Sequence, residues 1–434
     1  MVVPFWFEGE TMAQKNIYFT NIAILGGGAA GLMAAVSAAR CSGKNVKITV
    51  IEKNARVGKK LLTTGNGRCN LSNLQLSGEP YSGSLKDGAA RLLQAFDCEY
   101  IRDYFKTLGL YTRADGEGRI YPVSNSASSV LDVLRLTLRG YGVRELCGTE
   151  IDKITQEKNR FYLHSKDNII SCRALILTTG GKAALKDGDS AGYELLKQLN
   201  HTCAPLFPSL CPVPVKSSAL RSLKGQRCAC TVTLENGGQA IAQERGELQF
   251  TENALSGICV FQLSRQCAQI KKQGQTPVLC VDLLPEIGCR ELYDELSRRI
   301  KEDKIMLEEL LTGILSKRIA LSALKESSLA PLNRRAGKIT EKELKRLCQI
   351  LKCWEFEASS PGSFKQAQVT AGGIPAGEVE IDTMASKKKD GLFFAGELLD
   401  LDGKCGGYNL HWAWVSGIRA GKSAAAYLRR VDKR

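Results

Sequence analysis

A glycine-rich turn near the start of the chain restricts its fold more than any other feature. A short apolar, β-branched run leads directly into Gly26, Gly28 and Gly31, which are spaced as G-x-G-x-x-G. A small-residue helical pattern over 29–41 and a second apolar run over 46–52 come next. This order predicts a strand, a tight turn, a helix and a parallel strand, which together form the βαβ unit of a Rossmann-type α/β domain.

The same turn predicts a site for a dinucleotide. Its first glycine permits the tight turn, its second lets the backbone approach a pyrophosphate, and its third allows close packing of helix and strand. Ala29 and Ala30 open the helix, whose free N–H groups favour an anion. Glu52 stands about 20 residues after Gly31, where a carboxylate accepts hydrogen bonds from a ribose, and Lys53 follows it.

The far end of the chain favours FAD over a nicotinamide nucleotide. An apolar strand pattern over 391–395 runs into Gly396 and Glu397, and Gly406 and Gly407 precede an apolar helix. FAD is long enough to need this second contact region, and a helix N-terminus there stabilises the charge of reduced flavin. We expect non-covalent FAD, with NADH or NADPH as a possible transient donor, because the sequence has no second G-x-G-x-x-G.

A chain of 434 residues exceeds what one hydrophobic core usually serves. Short β-rich stretches in the middle predict a small barrel, and a helical pattern follows them. We therefore predict a Rossmann-like FAD-binding domain, 18–200 and 359–434, that is interrupted by a β-barrel-like domain, 201–288, and a small helical insertion, 289–358.

Composition bounds the location and the partners. The longest apolar runs fall far short of the roughly 20 residues of a membrane span, and no secretory signal is apparent, so we expect a cytoplasmic protein. The 16 cysteines include no Cys-x-x-Cys pair and only three histidines accompany them, so no metal site is expected and most cysteines should be buried. The net charge of +15 would suit nucleic acid, yet the basic residues are interleaved with acids.

Several further motifs recur in a known family. In order, they are 26–31, 58–61, 64–70, 118–122, 179–181, 208–210, 246–251, 369–374, 380–384, 396–400 and 406–410. Through these motifs the chain resembles, nearly from end to end, the bacterial FAD-binding flavoproteins of the NAD(P)/FAD-dependent, aminoacetone oxidase-like type, which include an oxidoreductase of gut bile-acid metabolism. The resemblance implies a Rossmann-like FAD domain interrupted by a barrel and a helical subdomain.

The resemblance also implies which residues contact FAD. Ile151 should meet the adenine through its backbone, Lys60 and Arg68 could neutralise phosphates, and Asn70 could bond a flavin edge. The remaining implied contacts are Thr64, Gly65, Cys69, Thr179, Gly180, Gly181, Gly396, Glu397, Gly407, Tyr408, Asn409 and Leu410.

Two departures from the family pattern limit what can be transferred. Glu252 stands where relatives commonly carry a histidine, and His411 stands where they usually carry glutamine. No catalytic residue can be assigned; the candidates for an acid or base are His411, Tyr408, Cys69 and Cys405. The two cysteines belong to separate motifs, so we expect neither to exchange electrons with the flavin.

These features predict an FAD-dependent oxidoreductase of the aminoacetone oxidase-like family that acts on a small organic substrate. Oxidation of an amine or alcohol and hydride delivery to an activated C=C or C=O both remain open. The alternatives are an RNA-linked flavoprotein, which the charge suggests although interleaved base-stacking aromatics are missing, and a flavin-binding protein without turnover. The oligomeric state cannot be predicted.

Overall fold

The structure is a computed structural model that describes residues 16–76, 80–183, 191–302 and 304–433. The chain forms two compact units. Within the described ranges, the first combines residues 16–181, 191–204 and 372–433, and the second combines residues 182–183 and 205–371. The predicted fold class is confirmed, since a Rossmann-type α/β unit, a barrel and helical elements are all present.

The helices are distributed over both units. In chain order the α-helices are α1 Ala29–Cys41, α2 Lys86–Ala95, α3 Cys98–Thr107, α4 Ala127–Gly140, α5 Ala191–Gln198, α6 Leu220–Leu223, α7 Ile258–Lys272, α8 Cys289–Glu302, α9 Lys317–Glu326, α10 Glu341–Lys352 and α11 Tyr408–Val431. Short 3₁₀ helices span Leu61–Gly67, Leu307–Glu309, Ala336–Lys338, Ala376–Glu378 and Gly396–Leu398. Among the described residues, no helix is long and apolar enough to span a membrane.

A seven-stranded sheet forms the centre of the first unit. Its strands lie in the order Val379–Glu380, Ala385–Ser386, Leu392–Phe394, Ala174–Leu177, Ile22–Leu25, Ile48–Ile51 and Arg144–Leu146. The last five of these are parallel to one another. The strand Ile22–Leu25 is buried along its whole length, which explains why it is continuously apolar rather than alternating.

Three smaller sheets complete the first unit. They consist of Asn16–Phe19, Asn168–Cys172, Arg160–His164 and Lys153–Glu157; of Ser72–Asn73, Arg119–Pro122 and Thr112–Ala114; and of Asp402–Gly403 with Tyr81–Ser82. The strands Thr112–Ala114 and Arg119–Pro122 lie between α3 and α4 in the chain.

The helices α1 and α11 pack backbone against backbone. A Cβ atom built on Gly417 would lie 2.6 Å from the Ala30 carbonyl oxygen, and one built on Gly421 would lie 2.3 Å from that of Ala34. The contacts advance along both helices together, so the helices run in the same direction. Small residues at these positions allow this close approach.

The second unit contains a closed antiparallel barrel. Its strands lie in the order Val213–Lys216, Ala254–Ser256, Gln239–Phe250, Arg227–Asn236, Val278–Asp282 and Trp354–Ala358. The strand Trp354–Ala358 alternates between buried and exposed residues and completes the barrel, although the sequence division assigned it to the helical insertion. Cys280 and Cys353 form a disulfide. Phe207–Ser209 and Val369–Ala371 form a separate two-stranded sheet. In sequence, the first of these strands precedes the barrel strands and the second follows them.

Candidate functional site

The turn after the first buried strand can be built only from glycine at two positions. Gly26 has φ +109°, and a Cβ there would lie 2.3 Å from the Thr178 carbonyl oxygen. A Cβ on Gly31 would lie 1.9 Å from the Gly26 carbonyl oxygen. The hydroxyl of Thr178 also donates to that oxygen at 2.8 Å. Thr178, which the sequence reading did not include, therefore fixes the position of the turn.

The middle glycine of the motif is different. A Cβ built on Gly28 meets no protein atom within 4 Å, and the residue is the N-cap of α1. The first turn of α1, which includes Ala29 and Ala30, contains no acidic residue, and no side chain caps it. An open space in front of uncapped N–H groups fits the pyrophosphate of a dinucleotide.

The predicted ribose acid lies beside this turn. Glu52 is 9% exposed, and its Oε2 accepts a hydrogen bond from the Gly27 N–H at 2.9 Å, while Oε1 accepts from the Asn54 N–H at 2.9 Å. The Thr149 N–H donates to the Glu52 carbonyl, which brings buried Ile151 to this edge of the sheet. Lys53 is exposed.

An ion pair joins two motifs that are far apart in sequence. Lys60 Nζ lies 2.6 Å from Glu397 Oε2. Gly396, which precedes Glu397, donates its N–H to the Ser416 hydroxyl at 2.9 Å. Ser416 thus positions this turn from within α11, a role that the sequence did not reveal.

The loop after Lys60 ends in a buried polar atom that faces α11. The Thr64 hydroxyl donates to the Leu61 carbonyl, and Gly65 has φ +56°. The Asn70 Oδ1 atom is buried and has no hydrogen-bond partner in the described part of the chain. A Cβ on Gly407, the N-cap of α11, would lie 2.7 Å from that oxygen.

A second buried oxygen lies after the strand Ala174–Leu177. The Thr179 hydroxyl is buried and, within the described ranges, also has no partner. A buried polar atom without a partner costs roughly 1–3 kcal/mol. Gly180 follows with φ +75° and no atom near its Cβ position, and Gly181 is buried. These groups fit a ligand that supplies the missing hydrogen bonds.

The parallel helices α1 and α11 set a distance between the two ends of this site. Since Gly417 lies against Ala30, the N-terminus of α11 projects beyond that of α1 by eight residues, or about 12 Å at 1.5 Å per residue. Two positive helix ends offset in this way suit a cofactor with a pyrophosphate at one point and an isoalloxazine at another.

Known proteins match this chain over nearly its whole length. The HI0933-like protein Rossmann domain family matches residues 20–423. The chain belongs to this family. A 3-dehydro-bile acid delta(4,6)-reductase of Clostridium scindens is 36% identical over 93% of this chain and 99% of its own. Ribosomal RNA dihydrouridine synthases of Haemophilus influenzae and Escherichia coli are 28% and 26% identical, over 92% and 91% of this chain and 96% and 95% of theirs.

This member of the HI0933-like family is an FAD-dependent oxidoreductase. The predicted enzyme class and FAD are thereby confirmed, whereas the non-covalent attachment, the nicotinamide donor and the individual cofactor contacts stay predictions. The structure does place all the predicted contact residues in the first unit.

Two of the four candidate acids and bases are unsuited to proton transfer at neutral pH. His411 is fully buried, and its Nδ1 lies 2.9 Å from the Ser72 hydroxyl. Burial lowers the pKa of His411 to about 4, so the imidazole is neutral. Cys69 is fully buried, and burial raises the pKa of its thiol to about 12.

The other residues at the start of α11 hold neighbouring loops. The Asn409 side chain accepts from the Gly403 N–H at 2.8 Å and donates to the Gly403 carbonyl at 2.7 Å. The Tyr81 hydroxyl donates to the Tyr408 carbonyl at 3.0 Å. Burial raises the pKa of the half-buried Tyr408 phenol, which is therefore protonated at neutral pH. Leu410 and Cys405 are half-buried.

Arg68 lies against an aromatic ring. Its guanidinium lies 4.7 Å from the centre of the Tyr121 ring, and its Nε donates to the Gly65 carbonyl at 3.3 Å. The strand Arg119–Pro122 supplies this ring. The tyrosine belongs to a motif that the resemblance contained, but no role was predicted for it.

Proposed function

We propose that the protein uses reduced FAD to saturate a C=C bond that is conjugated with a carbonyl group. The observation that carries this proposal is the 36% identity, over nearly the whole of both chains, to a 3-dehydro-bile acid delta(4,6)-reductase. By its name, that relative reduces an alkene in a 3-oxo steroid acid. The ribosomal RNA dihydrouridine synthases have names that describe a saturated uracil ring. Both named reactions add two hydrogens to a C=C beside a carbonyl.

The first unit offers a separate position for each part of FAD. We assign the pyrophosphate to the open space at Gly28 and the ribose to Glu52. We assign the isoalloxazine to the region between Asn70 and the N-terminus of α11. When bound, FAD supplies the hydride. The positive end of α11 stabilises the negative charge that reduced flavin carries.

The protein's own groups restrict how the second hydrogen arrives. His411 is neutral and buried and Cys69 is a buried thiol, so neither reaches a substrate. Tyr408 is half-buried and its phenol is protonated. Of Tyr408, His411 and Cys69, the phenol of Tyr408 is thus the group that can deliver a proton.

The proposal is tested by reoxidation of the reduced flavin. The FAD-loaded protein is reduced anaerobically with dithionite and mixed in turn with the delta(4,6)-3-oxo bile acid, its saturated 3-oxo analogue and uridine. We expect rapid return of the flavin absorbance with the unsaturated acid and none with the saturated one. A parallel arm mixes oxidised protein with NADH or NADPH to find the donor.

Two outcomes would replace this proposal. Bleaching of the oxidised flavin by aminoacetone, without reoxidation by the enone, would indicate the oxidase chemistry that the family resemblance also implied. Reoxidation by a ribosomal RNA fragment, and not by the steroid acid, would indicate the second candidate function. That function is favoured by the two synthases at 28% and 26% identity and by the net charge of +15.

A further inference from the structure

A pocket in the first unit combines two arginines with an aromatic ring. Its volume is about 290 Å³, and it is lined by Arg68, Arg113, Ala114, Asp115, Tyr121 and Asn125. Arg113 is paired with Tyr121 across the two strands, which places both side chains on one face. The Arg68 guanidinium lies over the same ring at 4.7 Å.

The acid in this lining does not neutralise the two arginines. Asp115 Oδ2 accepts from Arg119 Nε at 2.8 Å, and its Oδ1 accepts from the N–H groups of Glu117 and Arg119 at 3.0 Å. Glu117 also pairs with Arg119, at 2.9 Å. Within the described part of the chain, neither Arg68 nor Arg113 forms an ion pair. Arg119 balances only one of the two acids, so the five charged groups together leave a net charge of +1 at the pocket.

The pocket adjoins the loop that we assign to the flavin. A Cβ built on Gly65 would lie 3.5 Å from the Tyr121 ring and 2.9 Å from the Asn70 nitrogen. Asn70 directs its oxygen toward α11, and Arg68, two residues earlier, directs its guanidinium toward the pocket. One short loop therefore separates the place of hydride transfer from the two arginines.

We propose that this pocket binds a carboxylate of the substrate and that Arg68 and Arg113 select anionic over neutral enones. This inference rests on the proposed function and specifies its substrate class. A guanidinium presents a planar pair of N–H donors that matches the two oxygens of a carboxylate. Stacking on Tyr121 orients the Arg68 guanidinium, which lowers the entropy cost of forming those bonds. The alkene of such a substrate lies at the flavin while its acid group lies at the arginines.

The experiment measures binding without turnover. The oxidised, FAD-loaded protein is titrated by calorimetry with the delta(4,6)-3-oxo bile acid and with its methyl ester, which lacks the charge. We expect the acid to bind at least ten-fold more tightly than the ester. Arg113→Gln should weaken binding of the acid about ten-fold and leave the ester unchanged. Arg91→Gln, which removes an exposed arginine of α2, is the control for net charge and should change neither.

Several results would overturn the assignment. They are equal affinity of the wild type for acid and ester, an equal loss for both ligands in Arg113→Gln, and tighter Arg113-dependent binding of inorganic phosphate or a ribosomal RNA fragment than of the acid. The two proposals fail separately. If the protein binds the acid selectively but the acid does not reoxidise the reduced flavin, the proposed reaction is rejected and the proposed carboxylate site is retained. If the acid and the ester reoxidise the flavin at equal rates, the reaction is retained and the carboxylate site is rejected.

Discussion

The two ends of the cofactor site are built in opposite ways. At the phosphate end, Gly26 and Gly31 are locked by backbone contacts, and the Glu52 carboxylate already accepts bonds from Gly27 and Asn54. At the flavin end, Asn70 keeps a buried oxygen without a described partner. At the phosphate end the protein alone thus holds the turn and the acid in place, and the open space at Gly28 remains for the pyrophosphate. The flavin end, we infer, is completed by the cofactor.

The largest expected effect is at the phosphate end, with Gly28→Val. No protein atom lies within 4 Å of the Cβ position, so the fold accommodates valine while the branched side chain fills the space assigned to the pyrophosphate. We expect FAD affinity to fall at least 100-fold. Flavin content per chain is the measurement, and the melting temperature of the cofactor-free protein should stay unchanged.

Gly43→Val is the matched control, since the Cβ position of Gly43 is also open and lies at the far end of α1. That variant should retain its flavin. Wild-type flavin content in Gly28→Val would show that the phosphate end lies elsewhere.

A smaller effect, on the free energy of unfolding, is expected when the pH is lowered, because of His411 at the flavin end. The folded-state pKa of His411 is about 4, below its ordinary 6.5, so the unfolded chain binds this proton more readily. The resulting stability is fully present above pH 6.5 and falls by up to about 3 kcal/mol as the pH drops toward 4. His411→Gln should remove this part of the pH dependence, as denaturant unfolding at several pH values would show. Parallel curves for wild type and variant would contradict the assignment of a buried neutral imidazole.

Two asparagines in the same segment should separate cofactor binding from stability. Asn70→Ala removes an oxygen that has no described partner, so we expect roughly ten-fold weaker FAD binding and no loss of stability in the cofactor-free protein. Asn73→Ala removes a side chain that donates to the Gly406 carbonyl and accepts from the Gln75 N–H. The free energy of unfolding of that variant should therefore fall by about 1–3 kcal/mol. Fluorescence titration with FAD and unfolding of the cofactor-free forms measure the two quantities. The same response from both variants would contradict the inference that the cofactor, and not the protein, completes the hydrogen bonding of Asn70.

The double variant Cys69→Ser, Cys405→Ser should take up the same number of electrons on reduction as the wild type. The Cys69 thiol is buried and protonated, and it is not joined to Cys405 by a disulfide. Dithionite titration should therefore consume two electrons per FAD in both proteins. An excess in the wild type that disappears in the variant would show a redox partnership at the flavin end.

The contrast also explains what the sequence could predict. The phosphate end depends on backbone geometry, and glycine spacing reports such geometry directly, so Gly26 and Gly31 could be identified from their pattern. The parallel strands could be predicted in the same way, because strands buried on both faces appear in the sequence as continuous apolar runs.

The rest depends on contacts between distant segments. Nothing near His411 in sequence reveals that it packs against Ser72, and nothing near Arg68 reveals that it lies over Tyr121. The barrel strand Trp354–Ala358 alternates as a strand should, but its place after three helices concealed which sheet it joins. Long-range pairing of this kind is not encoded in local periodicity.

The parallel packing of α1 and α11 has a consequence for how the protein is made. The residues assigned to FAD extend from Gly26 to Leu410, whereas the barrel and its helices come from one stretch, Pro205–Ala371. During synthesis the barrel stretch leaves the ribosome complete while α1 still lacks its partner helix. The cofactor site forms only when α11 emerges and settles against α1. We therefore expect FAD to bind only after α11 has been synthesised.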